Sequence, residues 1–225
     1  MDIKLNEVTL VIATFNEEES IEFVLNEIKN YDFHEILLID NNSKDRTVEI
    51  AKKYKVKVLY QKNKGWGSAV KEAFSQAKGN YITYMDGDGS YNPNAIIEML
   101  KIIDRYDFVC ASRYKFNNIS EDDTYIRSLG NKFFTFITKY LMNLNISDSL
   151  FFYPLIRRED YNKIKPSSNN FGLCVEVPYL LSKNNLTYTD ILSLERKRIG
   201  GKTKVNAFKD GFKILFEMIK MTIRN

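Results

Sequence analysis

The 225-residue sequence contains little cysteine, proline or histidine and no long apolar run. Its two cysteines, Cys110 and Cys174, lie far apart without the spacing of a metal site, which fits a reducing compartment better than a disulfide scaffold. The single histidine, His34, excludes a metal site built on two histidines. No window reaches about 18 apolar residues, so no helix is expected to span a bilayer. A secretory leader is not expected either, because the first residues are polar and lead into a strand.

Acidic and basic residues are distributed unevenly along the chain. The whole sequence has a net charge of +4, whereas residues 196–225 carry nine basic and two acidic residues, a net charge of +7. The remaining residues therefore sum to −3. A basic C-terminal segment predicts an anionic partner, such as phosphate groups, a nucleic acid or a membrane surface. A nucleic acid is not expected, since the chain has no RNA-type motif of aromatic and basic residues.

The first half of the sequence alternates between short apolar runs and amphipathic segments. Strands are predicted over 8–13, 35–40, 56–60, 81–85 and 108–111, and helices over 17–29, 45–54, 68–77 and 94–103. This alternation is typical of βαβ units in a mostly parallel sheet. The sequence therefore predicts an α/β fold, with its ligand site beyond the carboxyl ends of the strands. The second half loses this alternation.

Two carboxylates follow the fourth predicted strand. Asp86 and Asp88 are separated only by Gly87, and the alternation of a strand would turn both side chains the same way. Neighbouring carboxylates repel each other unless a cation lies between them, and Mg²⁺ or Mn²⁺ prefers such oxygen ligands. The alternative is a polar turn, since Asp and Gly are common turn residues. Polar segments also follow the first two strands, at 14–17 and 40–43, and this shared position favours a metal and ligand site.

The segment after the second strand contains two residues with different expected roles. Ser43 is expected to be the N-cap of the next helix, because serine is a preferred N-cap residue. Asp40 ends the strand, and three polar residues still follow it before the helix. We therefore expect Asp40 to be free to accept hydrogen bonds from a nucleobase or ribose.

Two longer amphipathic helices are predicted in the second half, over 127–144 and 207–223. Their apolar faces consist of Leu129, Phe133, Phe136, Ile137, Tyr140, Leu141 and Leu144 in the first, and Phe208, Phe212, Leu215, Phe216 and Ile219 in the second. Core packing accounts for most amphipathic helices. A mixture of Phe, Leu, Met and Lys also suits a membrane interface. Both interpretations stay open.

Six short motifs occur in order along the chain. They are Ala13-Thr-Phe-Asn-Glu17, Asp40-Asn-Asn-Ser-Lys-Asp-Arg-Thr47, Asn63-Lys-Gly-Trp-Gly-Ser-Ala69, Asp86-Gly-Asp88, Ala111-Ser-Arg-Tyr114 and Arg198-Ile-Gly-Gly-Lys-Thr-Lys204. Together they resemble the family-2 glycosyltransferases of GT-A fold, and among them the polyprenyl-phosphate hexose synthases of the dolichol-phosphate mannose synthase type. The resemblance covers residues 7–205. It departs at Asp148-Ser-Leu-Phe-Phe-Tyr-Pro154, where relatives usually carry a glycine and an arginine.

The resemblance implies a site for a nucleoside diphosphate sugar, such as GDP-mannose or UDP-glucose. The implied donor-binding residues are Ala13, Phe15, Glu17, Asp40, Asp86, Gly87, Asp88, Arg198 and Lys204. Mg²⁺ or Mn²⁺ would be bound through Asp86 and Asp88, with Ser90 at the third ligand position. Arg198 and Lys204 would close over the diphosphate.

The resemblance also implies a polyprenyl phosphate as the acceptor. Arg113, Arg127 and Asn131 match the acceptor-phosphate positions, and Asp88, Arg113 and Arg127 are the expected catalytic residues. A phosphate monoester has a second pKa of about 6, so it is already a nucleophile at neutral pH. This would explain why no motif for a catalytic base follows the metal motif.

The expected function is that of an inverting glycosyltransferase that moves a mannose or glucose onto polyprenyl phosphate. Three alternatives stay open: a family-2 enzyme with a hydroxyl acceptor, a nucleotidyltransferase, and a non-catalytic module that binds sugar nucleotides. A nucleotidyltransferase usually carries a glycine-rich basic loop after the first strand, where residues 14–17 are acidic and lack glycine.

The expected domain organisation is one glycosyltransferase domain over 1–205 and a basic amphipathic helix over 206–225. The helix over 127–144 would lie on the acceptor side of that domain. Because the implied acceptor is a lipid, we expect a cytoplasmic protein bound peripherally to the inner face of the cell membrane.

Overall fold

The computed structural model describes residues 4–118, 120–200, 203 and 206–223; Lys204, an expected donor-binding residue, lies outside them. The described residues form one seven-stranded sheet with the strand order β3-β2-β1-β4-β6-β5-β7. The strands are β1 (Val8–Thr14), β2 (Glu35–Asp40), β3 (Lys57–Tyr60), β4 (Tyr81–Asp86), β5 (Phe108–Ser112), β6 (Pro154–Arg157) and β7 (Tyr188–Leu192). β6 runs antiparallel to β4 and β5, and the other neighbouring pairs are parallel.

Eight α-helices accompany this sheet in the described part of the chain. They are α1 (Ile21–Ile28), α2 (Thr47–Ala51), α3 (Trp66–Ser75), α4 (Asn94–Leu100), α5 (Tyr125–Leu141), α6 (Arg158–Ile164), α7 (Leu173–Lys183) and α8 (Ala207–Ile223). α3 packs on β1 and β2, α4 packs on β5 and β7, and α8 contacts both α5 and α7. The expected α/β fold with a mostly parallel sheet is therefore confirmed.

The central strands are apolar because both faces of the sheet are covered. Leu10, Val11 and Ile12 of β1 are fully buried, as expected for a strand of a parallel sheet covered on both faces. The register pairs Ala13 of β1 with Asp86 of β4 on one side. On its other side, β1 pairs Thr14 with Asp40 of β2. The polar residues at the ends of three strands thus lie at one edge of the sheet.

The structure differs from the sequence predictions in the second half of the chain and at Ser43. β6, α6, α7 and β7 were not predicted, and β6 inserts between β4 and β5. Ser43 is not the N-cap of α2, which begins at Thr47 after Arg46. Instead, the Ser43 hydroxyl donates to Asp40 and accepts a hydrogen bond from the Asn16 amide.

α5 and α8 contact each other and leave large apolar side chains exposed. The exposed residues are Tyr125, Ile126, Leu129, Phe133, Phe136, Tyr140 and Leu141 on α5, and Phe208, Phe212, Phe216, Ile219 and Ile223 on α8. A different stripe of α8, formed by Ile214 and Met218, is buried against the body of the protein. We call the exposed residues the α5–α8 apolar surface. Among the described residues, no helix is long and apolar enough to cross a membrane.

Candidate active site

A cavity of about 440 Å³ opens at the edge of the sheet where β1 and β4 end. One part of its wall comes from these strand ends and their loops, including Ala13, Phe15 and Glu17. Another part comes from α5 and α8, where Arg127, Asn131 and Asp210 line the cavity together with an apolar set. That set consists of Ile126, Gly130, Phe134, Gly211 and Ile214. A single cavity therefore joins a polar region to an apolar one.

Asp86, the last residue of β4, lies in the polar region. Its Oδ1 accepts a hydrogen bond from the Tyr84 hydroxyl, which is two residues earlier and on the same face of the strand. Desolvation raises the pKa of Asp86 to about 7, and the charge of Asp88 adds to the rise. A Cβ at Gly87 would lie 2.7 Å from Cγ2 of Thr14, so only glycine lets this turn approach β1 so closely.

Asp88 is buried beside Asp86 and is held by two neighbours. Its Oδ1 accepts hydrogen bonds from the Ser90 amide (3.0 Å) and the Ser90 hydroxyl (2.7 Å). Its Oδ2 accepts one from Nη2 of Arg198 at 2.8 Å. Ser90 therefore holds the Asp88 carboxylate in place through these two hydrogen bonds. A role of Ser90 as a metal ligand stays a prediction.

Arg198 reaches the site because the segment after β7 is hydrogen-bonded to the segment after β4. The Ile199 amide donates to the Asp88 carbonyl, and the Arg196 amide donates to the Ser90 carbonyl. Nε and Nη1 of Arg198 are buried without a hydrogen-bond partner among the described residues. Arg198 also lines the cavity, so it has hydrogen-bond donors for an anion bound there.

A divalent cation fits the chemistry of this carboxylate pair. No group of three or more His, Cys, Asp and Glu side chains that could hold a metal occurs among the described residues. Asp86 and Asp88 would supply two hard oxygen ligands, and phosphate oxygens of a substrate suit the remaining positions of Mg²⁺ or Mn²⁺. A cation would also relieve the repulsion that helps raise the pKa of Asp86.

The remaining expected donor residues differ in their access to the cavity. Ala13, Phe15 and Glu17 line it, but Asp40 does not. The Asp40 carboxylate is buried and accepts hydrogen bonds from the Thr14 hydroxyl and from the amide and hydroxyl of Ser43. The expectation that Asp40 is free to accept from a ligand is therefore wrong, because Thr14 of β1 and Ser43 of the following turn already donate to its two oxygens. Its role as a donor-binding residue stays a prediction.

Arg113 lines the cavity but is deeply buried in an ion-pair network. Its Nε and Nη2 donate to the Asp148 carboxylate at 2.7 and 3.0 Å, and its Nη1 lies 3.5 Å from Oε2 of Glu195. The guanidinium also stacks on the Phe151 ring, 4.9 Å from the ring centroid. In this conformation the positive charge of Arg113 is paired with the carboxylates of Asp148 and Glu195. A contact between Arg113 and an acceptor phosphate therefore stays a prediction.

Arg127 and Asn131 lie one turn apart on α5, and both line the cavity. Nη1 of Arg127 is 3.3 Å from the Asp122 carboxylate. Nδ2 of Asn131 donates to the Tyr114 hydroxyl at 2.9 Å. Asp122 also lies 3.8 Å from Nε of Arg198. One carboxylate thus holds two arginines that are expected to bind phosphate groups.

Comparison with known proteins agrees with this geometry. Residues 9–165, more than half of the chain, match the family described as glycosyl transferase family 2. The chain belongs to this family.

This glycosyltransferase is similar to curated relatives and to a solved structure. It is 26% identical over 221 residues to glycosyltransferase AglJ of Haloferax volcanii. The aligned region covers 97% of this chain and 73% of the relative. It is 27% identical over 221 residues to a dolichyl-phosphate hexose transferase of the same organism, covering 97% and 95% of the two chains.

The solved structure is glucosyl-3-phosphoglycerate synthase from Mycobacterium tuberculosis, in complex with Mn²⁺, uridine diphosphate and glucosyl-3-phosphoglycerate. The TM-score is 0.76 at 14% identity, with 96% of this chain and 79% of that chain covered. The expected family, GT-A fold and glycosyltransferase activity are confirmed.

Several side chains of this glycosyltransferase site were not predicted from the sequence, among them Trp66, Glu195 and Tyr84. Trp66 and Glu195 line the cavity, and Tyr84 is buried behind Asp86. Tyr84 carries a recognisable signal, since it precedes Asp86 by two residues on one strand. Glu195 has no local signal, because its partner Arg113 is 82 residues away. Burial raises the pKa of Glu195 to about 7, although Arg113 opposes the rise.

Proposed function

We propose that this glycosyltransferase transfers a hexose from a nucleoside diphosphate sugar to a polyprenyl phosphate. One observation carries the proposal: a single cavity has paired carboxylates and Arg198 at the strand ends and an apolar wall between α5 and α8. A charged donor suits the first region, and an acceptor with a phosphate head and a prenyl chain suits the second. The name of the dolichyl-phosphate hexose transferase relative supports the same pairing.

The donor would bind at the ends of β1 and β4. Asp86 and Asp88 would hold Mg²⁺ or Mn²⁺, and the bound ion would supply Lewis acidity toward the leaving diphosphate. Nε and Nη1 of Arg198 are buried and make no hydrogen bond among the described residues, and both suit diphosphate oxygens. Phe15 and Glu17 also line the cavity and would contact the nucleoside.

The acceptor phosphate would bind between Arg127 and Asn131. In a single displacement, a phosphate oxygen forms a bond to the anomeric carbon while the bond from that carbon to the diphosphate breaks. The electron pair leaves with the diphosphate, and the configuration at the anomeric carbon inverts. A phosphate dianion carries no proton that a base must remove. The residues therefore need to position it, which a guanidinium does well.

The two phosphate-bearing substrates would compete with Asp122 for its arginine partners. Asp122 lies 3.3 Å from Nη1 of Arg127 and 3.8 Å from Nε of Arg198. Each new phosphate contact would replace one of these pairs. The arginines would therefore enter the reaction already held close to their working positions.

The prenyl chain would follow the apolar wall formed by α5 and α8. Gly130 and Gly211 line this wall, and Phe134 and Ile214 lie beside them. The α5–α8 apolar surface continues outward from the same two helices. A polyprenyl phosphate leaves a bilayer only at a cost of about 0.8 kcal/mol per exposed CH₂ group. We therefore propose that this surface enters the membrane interface from the cytoplasmic side, so that the enzyme reaches its acceptor.

The C-terminal segment supports the same orientation. Residues 196–225 carry the +7 charge, and each lysine near an anionic membrane surface contributes about 1 kcal/mol. In α8 the exposed aromatic residues Phe212 and Phe216 alternate with the lysines at 209 and 213. This mixture is common in helices that lie in a membrane interface.

One observation favours a second candidate, transfer to a hydroxyl acceptor. Glu195 lines the cavity, and its pKa of about 7 is close to that of an effective general base. A hydroxyl acceptor needs such a base, whereas a phosphate acceptor does not. Glu195 accepts a hydrogen bond from Ser120 and lies near Arg113, which favours a structural role.

A direct assay tests the proposal against this second candidate. The protein is incubated with Mg²⁺ or Mn²⁺, a panel of nucleotide sugars including GDP-mannose and UDP-glucose, and a short polyprenyl phosphate. The matching polyprenyl alcohol is the control acceptor. We expect one hexose to be added to the phosphate and none to the alcohol. Transfer to hydroxyl acceptors alone, lost in Glu195→Gln, would support the second candidate instead.

A further inference from the structure

Asp86 stands at the end of a chain of hydrogen bonds that begins at the only tryptophan of the protein. Nε1 of Trp66 donates to the Tyr84 hydroxyl at 2.8 Å. The Tyr84 hydroxyl in turn bonds to Oδ1 of Asp86. Tyr84 is fully buried, so no solvent competes for these bonds.

The direction of this chain follows from the chemistry of its members. An indole N–H only donates, so the Tyr84 oxygen is an acceptor toward Trp66. The Tyr84 proton is then available for Asp86, which in the ionised form that binds a cation only accepts. Each link is therefore fixed in orientation. Oδ1 of Asp86 is held, whereas Oδ2 accepts no hydrogen bond from the described residues.

Trp66 is itself held on several sides. Its ring stacks on Phe171 with centroids 5.0 Å apart and meets Phe152 edge-on at 5.2 Å. The glycines on either side allow the backbone to approach a neighbouring loop. A Cβ at Gly65 would lie 2.1 Å from the Asn169 carbonyl oxygen, and one at Gly67 would lie 2.7 Å from that of residue 170. The indole therefore has little freedom to shift.

We propose that Trp66 and Tyr84 are positioning residues of the metal site, which fix one oxygen of Asp86 so that the other is presented to the cation. This inference rests on the metal binding contained in the proposed function. Ser90 gives Asp88 a comparable support through two hydrogen bonds to its Oδ1. Groups that orient a metal ligand in this way typically change metal affinity by 10- to 100-fold.

Core packing alone makes a different prediction. Tyr84 lies among Trp66, Tyr91 and Phe152, and its ring would fill this space without the hydroxyl. Under packing alone, Tyr84→Phe keeps the ring, lowers stability slightly and leaves metal binding unchanged. Under positioning, Tyr84→Phe frees Oδ1 of Asp86 and weakens metal binding.

Metal affinity is measured directly, by calorimetry with Mn²⁺ in the presence of saturating GDP or UDP. We expect Tyr84→Phe to raise the Kd for Mn²⁺ about tenfold or more, and Trp66→Phe to raise it less. Turnover at saturating Mn²⁺ should recover most of the wild-type kcat, since the lost hydrogen bond acts through metal occupancy. The matched control is Tyr153→Phe, because Tyr153 is also fully buried and donates to one backbone carbonyl, that of Asn92.

A spectroscopic readout comes from Trp66 itself. As the only tryptophan, it accounts for the tryptophan emission of the chain. Adding Mg²⁺ should shift that emission in the wild type and in Tyr153→Phe, and much less in Tyr84→Phe, where the link to Asp86 is cut.

The outcomes separate this inference from the proposal on which it rests. An unchanged Kd for Mn²⁺ in Tyr84→Phe, or a change equal to that in Tyr153→Phe, overturns the positioning role while the metal site stands. A wild-type protein that binds neither Mn²⁺ nor Mg²⁺ removes the metal site and the positioning role together. A Kd raised only in the variants of Tyr84 and Trp66 supports the inference.

Discussion

The two regions of the cavity are built in opposite ways. At the strand ends, buried polar side chains that line the cavity are already paired, as Asp88 is with Ser90 and Arg198. At α5 and α8, large apolar side chains face outward, and within α5 only Thr138 is buried. Charges are normally found outside and apolar groups inside, so both regions reverse the usual rule.

The reversal has a different physical consequence in each region. Buried carboxylates and arginines must keep partners, so the strand-end region is preorganised for charged ligands. An exposed apolar patch gains free energy only when something covers it. The strand ends therefore suit a small, highly charged donor, and the helices suit a large apolar surface. Substitutions in one region should leave the function of the other unchanged.

The largest expected effect comes from breaking the strand-end region. Asp88→Ala removes a metal ligand and the partner of Arg198, so kcat/KM should fall by at least about a hundredfold, the scale of losing one major electrostatic element. Asp104→Ala is the control, since Asp104 is an exposed acid that pairs with Lys4. Binding to anionic vesicles should not change in either variant. Full activity of Asp88→Ala, or of the wild type in excess EDTA, would contradict the metal mechanism.

The second effect comes from breaking the helical region. Phe212 and Phe216 are 73% and 65% exposed on α8. Phe212→Asp combined with Phe216→Asp should abolish sedimentation with anionic vesicles, because burying two carboxylates in an interface is costly. Calorimetry should show unchanged nucleotide binding. Wild-type binding should itself weaken as salt is raised, since headgroup attraction is screened.

A control with the same change in net charge sharpens this test. Lys55→Glu alters the charge by the same two units at an exposed position two residues before β3, the edge strand at the opposite end of the sheet from β7. It should keep most of the vesicle binding. Equal losses in both proteins would mean that net charge rather than the α5–α8 apolar surface controls binding. Wild type that ignores anionic vesicles at low salt would remove the membrane role of this surface.

A smaller effect is expected where the two regions meet. Arg127→Ala should raise the KM for polyprenyl phosphate or lower kcat by about tenfold or more, because a hydrogen bond to a charged group contributes about 1.5–3 kcal/mol. The Kd for GDP or UDP should stay the same. Lys139→Ala removes the same charge from an exposed position of α5 that does not line the cavity, and should have little effect. Equal damage to nucleotide binding would assign Arg127 to the donor.

The same contrast separates what the sequence could predict from what it could not. β1, β2 and β4 were predictable because each is a continuous apolar run followed by polar residues, and the pattern depends on neighbours along the chain. Asp86 and Asp88 followed from the same logic. β6 was not predictable, since its four residues form a strand only through β4 and β5 on either side. α7 contains Pro178, a residue that usually interrupts a helix.

Ion pairs between distant segments were also beyond the sequence. Arg113 was expected to be available for a phosphate, yet its guanidinium donates two hydrogen bonds to Asp148, which lies 35 residues away in sequence. No local sequence pattern indicates such a partner. The exposure of the apolar face of α5 could not be predicted for a related reason. An amphipathic sequence predicts an apolar face, but only the tertiary structure decides whether that face is covered.

The smallest expected effect concerns Gly130, in the interior of α5. A Cβ at this position would meet nothing within 4 Å, so packing does not require glycine there. Alanine should therefore stabilise the helix by about 1 kcal/mol, which corresponds to about 2–4 °C in Tm for a chain of this size. Thermal unfolding of Gly130→Ala checks this directly. A lower Tm would mean that the glycine has a structural role after all.

Glycine at this cavity wall lowers the stability of the helix but leaves space for a ligand. Substituting a larger residue should show which ligand occupies that space. Gly130→Leu would project into the cavity and should raise the KM for polyprenyl phosphate several-fold, while the KM for the nucleotide sugar stays constant. Ser128→Leu places the same side chain on α5 outside the cavity lining, and should change neither value. If Gly130→Leu leaves the acceptor KM unchanged, the prenyl chain does not pass between α5 and α8. If it impairs the nucleotide sugar equally, the two regions of the cavity are not independent.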